Sequence, residues 1–160
     1  GQGIADLLRL REAGFNVCLG TDGSASDNLD ILMGMKVTHI AQNYLQGQVC
    51  ALRPETILQM ATENPARALG WEMGRLETGQ LADFVLLDAS RPHLRPLITR
   101  PRSNVVFNIV YYATGADVDS TVIDGRVVME KREVLTLNEA GVLSDLQERA
   151  QSLWYRAGAG

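Results

Sequence analysis

The stretch Val17-Cys18-Leu19-Gly20-Thr21-Asp22-Gly23-Ser24-Ala25-Ser26 decides how the rest of the chain is interpreted. A short apolar run, Phe15 to Leu19, ends at a glycine, and Asp22 then opens a small polar loop. Parallel α/β barrels place their reactive side chains at the ends of buried strands, so this pattern is typical of a catalytic or metal-binding aspartate. An aspartate that caps a turn in an ordinary loop fits the same residues, and the local pattern leaves both interpretations open.

Helices are predicted on both sides of this stretch. Ile4 to Ala13 carries apolar residues at helical spacing and is followed by Gly14, which suits the left-handed position after a helix. The helical pattern returns from Leu29 to about Gln46, with Asp27 or Asn28 as the cap of its first turn and Gly47 at its end. A helix, a buried strand, a polar loop and a helix in this order form half of a repeating α/β unit.

Two more helices are predicted before the pattern changes. Pro54 suits the first turn of one of them, and another restarts at Pro65 with Asn64 as its cap and stops at Gly70. His39 lies on the mixed face of the preceding helix. We expect it to be a partly exposed surface residue rather than a ligand.

From residue 73 onwards β-structure is predicted. A strand is expected over 82–88, and the clearest hairpin runs from Val118 to Met129 around Asp124-Gly125. This dipeptide suits a type I′ turn, in which both central residues have positive φ. The run Val105 to Tyr112 is continuously apolar, which suits either a buried strand or a short buried helix.

The tail from Asn138 to Tyr155 predicts a closing helix with one apolar side. We therefore divide the chain into three parts: residues 1–72, 73–135 and 136–160. The first is barrel-like, the second is a small β part, and the third is the C-terminal helix.

The composition excludes several classes of function. With 46% hydrophobic residues and a net charge of −4, the 160 residues suit a globular core and carry no basic stripe for nucleic acid. No apolar run is long enough to predict a membrane span. Cys18 lies in the apolar run and is most simply a buried small hydrophobe, and two cysteines make no disulfide framework, so a reducing, cytoplasmic setting is expected.

The sequence also lacks the motifs of several other chemistries. It has no glycine-rich phosphate loop, no G-x-S-x-G motif and no Cys-x-x-Cys pair. Asp27 and Asp30 are paired carboxylates, but at a helix start this spacing is better explained by capping and by the helix dipole. A catalytic zinc site needs about three protein ligands, so His39 and His93 with Asp22 are not expected to form a complete site.

Four motifs together resemble the metal-dependent amidohydrolase superfamily. Residues 19–30 are similar to its last barrel strand and loop, nearest to the methylthioadenosine/adenosylhomocysteine deaminases and triazine (chloro)hydrolases. Residues 61–70 resemble the family's "AT.N.A..LG" helix, residues 74–83 its "G.l..G..AD" motif, and residues 122–128 its closing "V.V.G..V" hairpin. They occur in the family's order and span nearly the whole chain.

The resemblance implies both a fold and a role for Asp22. The fold class would be α/β, with the C-terminal end of a (β/α)8 TIM-type barrel, part of a small antiparallel β-sandwich and a C-terminal helix. Family members hold a divalent metal, most often zinc with iron as the alternative, through an H-x-H pair, two later histidines and an aspartate that corresponds to Asp22. That aspartate also moves a proton from the activated water to the leaving amine.

Two local expectations follow from the resemblance. It favours a short helix over Ser103 to Tyr111. Ser24, Ser26 and Asn28 lie in the loop after Asp22, where they are expected to serve as turn and cap residues rather than as substrate contacts.

The histidine ligands of the family are not in this sequence, and we expect them upstream of Gly1. The chain would then be the C-terminal part of a hydrolase whose substrate is a small nitrogen heterocycle, a purine- or triazine-like ring. The 160 residues alone are expected neither to bind zinc tightly nor to be catalytically active. The alternative is a non-catalytic structural or assembly module, or a degenerate relative of the family. A homo-oligomer is compatible with either hypothesis.

Overall fold

The computed structural model describes residues 3–23 and 28–158. Its α-helices are α1 (Leu7–Glu12), α2 (Ile31–Gln46), α3 (Pro54–Ala61), α4 (Glu63–Leu69), α5 (Val105–Tyr112) and α6 (Glu139–Arg156). Its strands are β1 (Phe84–Leu87), β2 (Val118–Ile123), β3 (Arg126–Glu130) and β4 (Glu133–Val134), and its 3-10 turns are η1 (Pro92–Leu94) and η2 (Gly115–Asp117). Within these ranges, no helix has the length and apolar character that crossing a lipid bilayer requires.

The hydrophobic core draws on residues from both sides of position 72. Its buried apolar side chains are Leu32, Met35, Leu52, Ile57, Met60, Leu94, Val110 and Ala113. Helices α2 and α3 pack against α5, which supplies Val110. The apolar run that periodicity left open is therefore a helix, and the helix favoured by the family resemblance is confirmed.

The strands form an antiparallel sheet in the order β1-β2-β3-β4. β2 and β3 are the predicted hairpin, and Ile123 pairs with Arg126 across the turn. Asp124 and Gly125 have φ angles of 50° and 70°, so both lie in the left-handed region that a type I′ turn requires. The hairpin prediction is confirmed, and the predicted strand over 82–88 is observed in shorter form as β1.

The C-terminal ends of the helices were predicted more accurately than their N-terminal starts. Gly14, Gly47 and Gly70, which were predicted to end helices, have φ angles of 84°, 61° and 70°. Helix α2 begins at Ile31, and its cap is Asp30, whose side chain accepts hydrogen bonds from the first turn. Asn28 is therefore not the cap, and Asp27, the other predicted cap, lies outside the described residues.

The start of α4 also differs from the prediction. The helix begins at Glu63 rather than at Pro65, and Asn64 lies inside it instead of capping it. The Asn64 side chain has a different role, because its Nδ2 donates to the carbonyl of Val17 at 2.7 Å. Since that contact joins residues far apart in sequence, local pattern could not reveal it.

Residues 15–19 do not form the predicted buried strand. A strand is defined by a ladder of hydrogen bonds to a neighbouring strand, and the described part of the chain places no strand beside this segment. The Leu19 amide donates instead to the carbonyl of Met60 in α3 at 2.8 Å. Phe15 is 64% exposed, and Cys18 is an exposed free thiol rather than a buried hydrophobe.

His39 is far more buried than predicted, whereas helix α6 forms as predicted and leaves its apolar side exposed. His39 is 1% exposed, because α3 and α5 both pack on α2, so the prediction of a surface residue is wrong. Helix α6 covers the predicted range, yet it buries no residue. The side chains on its apolar side that are more than half exposed are Val142, Leu143, Leu146, Leu153 and Trp154.

Candidate active site around Asp22

Asp22 presents its carboxylate at the surface of the described chain. The residue is exposed, and its backbone has a φ of 57°, in the left-handed region that aspartate enters more readily than most residues. Its Oδ1 accepts a hydrogen bond from the Gly23 amide at 2.8 Å. A carboxylate in this position is accessible to a ligand from solvent.

The segment before Asp22 is fixed by α3 and α4. The Leu19 amide donates to Met60 of α3, and the carbonyl of Val17 accepts from Asn64 of α4. Asn16 returns a bond to the same helix, because its Nδ2 donates to the carbonyl of Asn64 at 2.9 Å. These three contacts replace the strand ladder that the sequence had suggested.

Asp30 anchors the chain where the described residues resume at Asn28. The Asp30 amide donates to Oδ1 of Asn28 at 2.8 Å. Its own carboxylate caps α2 and also accepts from the amide of Gly115 at 2.8 Å, across 85 positions of sequence. The sequence signalled the capping role of Asp30 but gave no sign of the bond to Gly115.

A small groove lies beside this loop. Its volume is about 190 Å³, which is below the usual size of a pocket for a small organic ligand. It is lined by Gly20, Thr21, Asn28, Asp30, Met33, Gly34, Val37 and Thr38. Of the loop residues that the sequence singled out, Asn28 therefore lines the groove, while Ser24 and Ser26 lie outside the described residues.

The two histidines have other partners. The His39 ring packs edge-on against Tyr111, with ring centroids 4.5 Å apart, and His93 Nε2 lies 2.9 Å from Oδ2 of Asp117. Within residues 3–23 and 28–158, no three His, Cys, Asp or Glu side chains come together as a metal site. Asp22, His39 and His93 therefore do not form a joint site.

The surroundings of His39 disfavour the charged form of its ring. Burial lowers its pKa below the ordinary value of 6.5, and the backbone of Leu52 offsets part of that lowering. Neither ring nitrogen has a hydrogen bond of good geometry to any part of the chain that the structure describes. A buried imidazole of this kind resists protonation, since its charged form would lose more hydration energy than the Leu52 backbone returns.

Asp117 is the buried carboxylate of the β part. Burial alone would raise its pKa, but hydrogen bonds from His93 and from the amide and hydroxyl of Thr114 outweigh burial, so the pKa lies below its usual range. The bond from the Thr114 amide is also one half of a capping box around η2, in which the Asp117 amide donates in return to the Thr114 side chain. The role of Asp117 and His93 here is to fix the turn that contains Gly115.

Gly74 lies where the motif over 74–83 contacts the motif over 61–70. Its φ is 94°, and a Cβ at this position would lie 2.9 Å from the carbonyl oxygen of Thr62. The neighbouring Arg75 forms an ion pair with Glu63, with 2.7 Å between nitrogen and oxygen. A glycine is required because the chain passes directly against the start of α4.

Two solved structures share the fold of this chain. An adenosine deaminase from Xanthomonas campestris with bound zinc superposes with a TM-score of 0.85 and 28% identity, over 94% of this chain and 34% of that protein. A triazine hydrolase variant superposes with a TM-score of 0.78 and 23% identity over 92% of this chain and 32% of its own, which shows likeness of fold alone.

The family assignment follows from sequence. The model of the amidohydrolase family matches residues 1–128, so the chain belongs to the amidohydrolase family. The resemblance found in the four motifs is confirmed.

Curated relatives carry more specific names. A 5'-deoxyadenosine deaminase of Methanosarcina acetivorans is 39% identical over 158 residues, 98% of this chain and 35% of the relative. A 5-methylthioadenosine/S-adenosylhomocysteine deaminase of Thermococcus onnurineus is 44% identical over 133 residues, 82% of this chain and 30% of the relative. The chain thus spans about a third of the length of these relatives.

Proposed function

We propose that this chain is the C-terminal part of a metal-dependent hydrolase that removes an amino group or a chlorine from a purine- or triazine-like ring. The observation that carries the proposal is Asp22, an exposed carboxylate at the end of a segment anchored on α3 and α4. It lies in the motif over 19–30, in a chain whose relatives include nucleoside deaminases.

The residues present fit a metal as one member of a ligand set. Asp22 offers carboxylate oxygens, which are ordinary ligands of zinc, and the described residues supply no cluster of three ligands around it. We therefore assign the metal, zinc with iron as the alternative, to Asp22 together with histidines outside this chain. When bound, such a metal supplies an activated water near neutral pH.

The second role proposed for Asp22 is proton transfer. A carboxylate oxygen of Asp22 accepts the proton of the attacking water and gives it to the leaving amine. The Gly23 amide donates to Oδ1 of Asp22 at 2.8 Å and orients the carboxylate, and the bonds to Met60 and Asn64 anchor the segment that precedes it. Proton transfer requires such precision, because donor and acceptor must be within hydrogen-bond reach.

The proposal includes the setting of the protein. Residues 1–72 would close a (β/α)8 barrel, residues 73–135 would form part of the β-sandwich, and residues 136–160 would be the C-terminal helix. The substrate would be a small heterocycle in the cytoplasm, since both cysteines are free thiols.

The experiment is an assay of the complete protein that contains this chain. Ammonia or chloride release is measured with 5'-deoxyadenosine, 5'-methylthioadenosine and a chlorotriazine, alongside the zinc and iron content. We expect turnover of at least one substrate that stops on chelation and returns with added metal. A well-folded protein with neither metal nor turnover would instead support the non-catalytic alternative.

A further inference from the structure

A polar groove lies at the start of the segment that leads to Asp22. Its walls come from the end of α1, from α3 and α4, and from the chain between Gly14 and Asn16. Its volume is about 280 Å³, which is close to the lower end of the range for small-molecule sites. It is separate from the smaller groove beside Asn28 and Asp30, since the two share no lining residue.

Two arginines make this groove positively charged. Arg11 lies in the last turn of α1, and Arg67 lies in the last turn of α4. Within the described part of the chain, no carboxylate lines the groove and neither arginine forms an ion pair. Glu63 lies one turn before Arg67 on α4, but its carboxylate is paired with Arg75. The two charges are therefore not neutralised by the described residues, in a chain whose net charge is −4.

The helix dipole explains each arginine separately but not their convergence on one groove. A cation is favoured near the C-terminal end of any helix, and this applies to Arg11 and to Arg67. Arg9 lies in the same last turn of α1 and gains the same benefit, yet it does not line the groove. Two guanidinium groups that line one small groove repel each other, and a bound anion offsets that repulsion.

Neutral polar side chains complete the lining. Thr56 and Gln59 belong to α3, and their side chains form no hydrogen bond within the described part of the chain. A hydroxyl and a carboxamide both offer N–H or O–H donors to an oxyanion. Asn16 and Asn64 have a different role, because their Nδ2 atoms donate to the backbone carbonyls of Asn64 and Val17 and fix this side of the groove.

We propose that this groove is a binding site for a small oxyanion, either inorganic phosphate or the phosphate group of a small metabolite. Arg11 and Arg67 supply the charge, and the planar fork of a guanidinium matches two phosphate oxygens. Thr56 and Gln59 supply neutral donors beside them. The site goes beyond the hydrolase function and does not depend on the role of Asp22.

The anion is expected to stabilise the segment that ends at Asp22. Asn16 and Asn64 line the groove, and their side chains also join that segment to α4. Further along the segment, the Leu19 amide donates to the carbonyl of Met60. A ligand that binds only the folded groove shifts the equilibrium away from local opening. Exchange of the Leu19 amide with solvent should therefore slow when the groove is occupied.

The experiment is calorimetric titration of the complete protein that contains this chain, at constant ionic strength, with inorganic phosphate and with glycerol 3-phosphate. Arg11→Gln and Arg67→Gln should each weaken binding by about 10-fold or more, because a hydrogen-bonded charge is lost. Arg9→Gln is the matched control, since it removes the same charge from the same helix outside the groove. It should change the affinity by less than about twofold, because an exposed charge at a distance is screened. Tighter binding of glycerol 3-phosphate would identify a metabolite as the source of the phosphate group.

Three results would overturn the proposal. The first is a wild-type protein that binds neither ligand, and the second is an equal loss of affinity in Arg9→Gln, which would indicate unspecific attraction. The third is neutralisation of the arginines by a carboxylate from outside this chain, in which case phosphate does not bind and Arg67→Gln lowers stability in urea. Unchanged exchange at Leu19 with phosphate bound would refute the link to the Asp22 segment. None of these measurements uses turnover, so a failure of the proposed function would leave them unaffected.

Discussion

Asp22-Gly23 and Asp124-Gly125 are the same dipeptide in two regions of the molecule, and both aspartates have left-handed backbones, with φ of 57° and 50°. In the hairpin the glycine is also left-handed, at 70°, whereas Gly23 has no positive φ. Strands β2 and β3 pair directly on either side of Asp124-Gly125. The hairpin turn is therefore explained by the pairing of its neighbours in sequence, whereas the residues that follow Gly23 lie outside the described part of the chain.

The difference separates a structural aspartate from a candidate functional one. A left-handed non-glycine residue costs about 1–2 kcal/mol, less for aspartate than for most residues. Strand pairing offsets this cost at Asp124. At Asp22 the carboxylate accepts from the Gly23 amide, and the segment before it is anchored on α3 and α4; an unfavourable backbone conformation of this kind is found often at functional sites.

The largest expected effect tests whether the two aspartates differ in chemistry. Asp22→Asn in the complete protein should reduce turnover by about 10²- to 10⁴-fold, because an amide cannot accept and return the proton. Asp124→Asn is the control, since asparagine also tolerates a left-handed backbone. Ammonia release, metal content and urea unfolding should be measured for both, with stability nearly unchanged in each. Comparable activity of the two variants would remove the catalytic assignment.

The features that sequence predicted well are those whose causes are local. Gly14, Gly47 and Gly70 end helices because each must adopt a left-handed backbone at that position, and Asp124-Gly125 forms a hairpin for the same reason. The family assignment likewise depended on motifs that can be recognised residue by residue. Asp22 was singled out from such a motif too, and its role as a site residue stays a prediction.

The features that sequence predicted badly depend on distant partners. His39 is buried because α5, far along the chain, packs on α2. Asn64 is a residue type that caps helices, but its side chain bonds to Val17 instead. Residues 15–19 could form a strand only beside a neighbouring strand, and the described residues place none there. The sequence offers three good capping residues before α2: Asp27, Asn28 and Asp30. Residue type does not decide which of them caps the helix, and the structure selects Asp30, which also bonds to Gly115.

The second prediction removes the anchor on the Asp22 side. Asn64→Ala leaves the carbonyl of Val17 without its side-chain donor, which should lower the free energy of unfolding by about 1–3 kcal/mol. Asn16→Ala breaks an exposed bond to the same helix and should cost about 0.5–1 kcal/mol. Urea unfolding gives both values. Amide exchange should accelerate at Leu19 in Asn64→Ala but not across the β2–β3 hairpin, and acceleration in both places would show that the two regions are not independently held.

The third prediction distinguishes two buried titratable residues, His39 and Asp117, by how the free energy of unfolding depends on pH. The pKa of His39 is lowered in the folded state, so below pH 6.5 the unfolded chain takes up a proton that the folded chain resists. Stability should therefore fall as pH falls below 6.5, at up to about 1.4 kcal/mol per pH unit. His39→Leu should remove this slope in urea unfolding.

Asp117 supplies the contrast within the β part. Its pKa is also lowered, from an ordinary value of 3.8, so its contribution is present above pH 3.8 and is lost as pH falls through the folded value. Asp117→Asn should reduce stability at neutral pH but leave the His39 slope in place. A slope that survives in His39→Leu and disappears in Asp117→Asn would reverse the assignment of the two groups.

The smallest expected effect concerns the glycines of the two Asp-Gly pairs. Gly125→Ala places a side chain on a residue with φ of 70°, which should cost about 1–2 kcal/mol. Gly23 has no positive φ, and a Cβ there meets no described atom within 4 Å, so Gly23→Ala should change stability by less than about 0.5 kcal/mol. Thermal or urea unfolding of the matched pair measures the difference. An equal loss of stability in the two variants would mean that the backbone at Asp22-Gly23 requires glycine as the hairpin does. The contrast between the two turns would then rest on the chemistry of Asp22 alone.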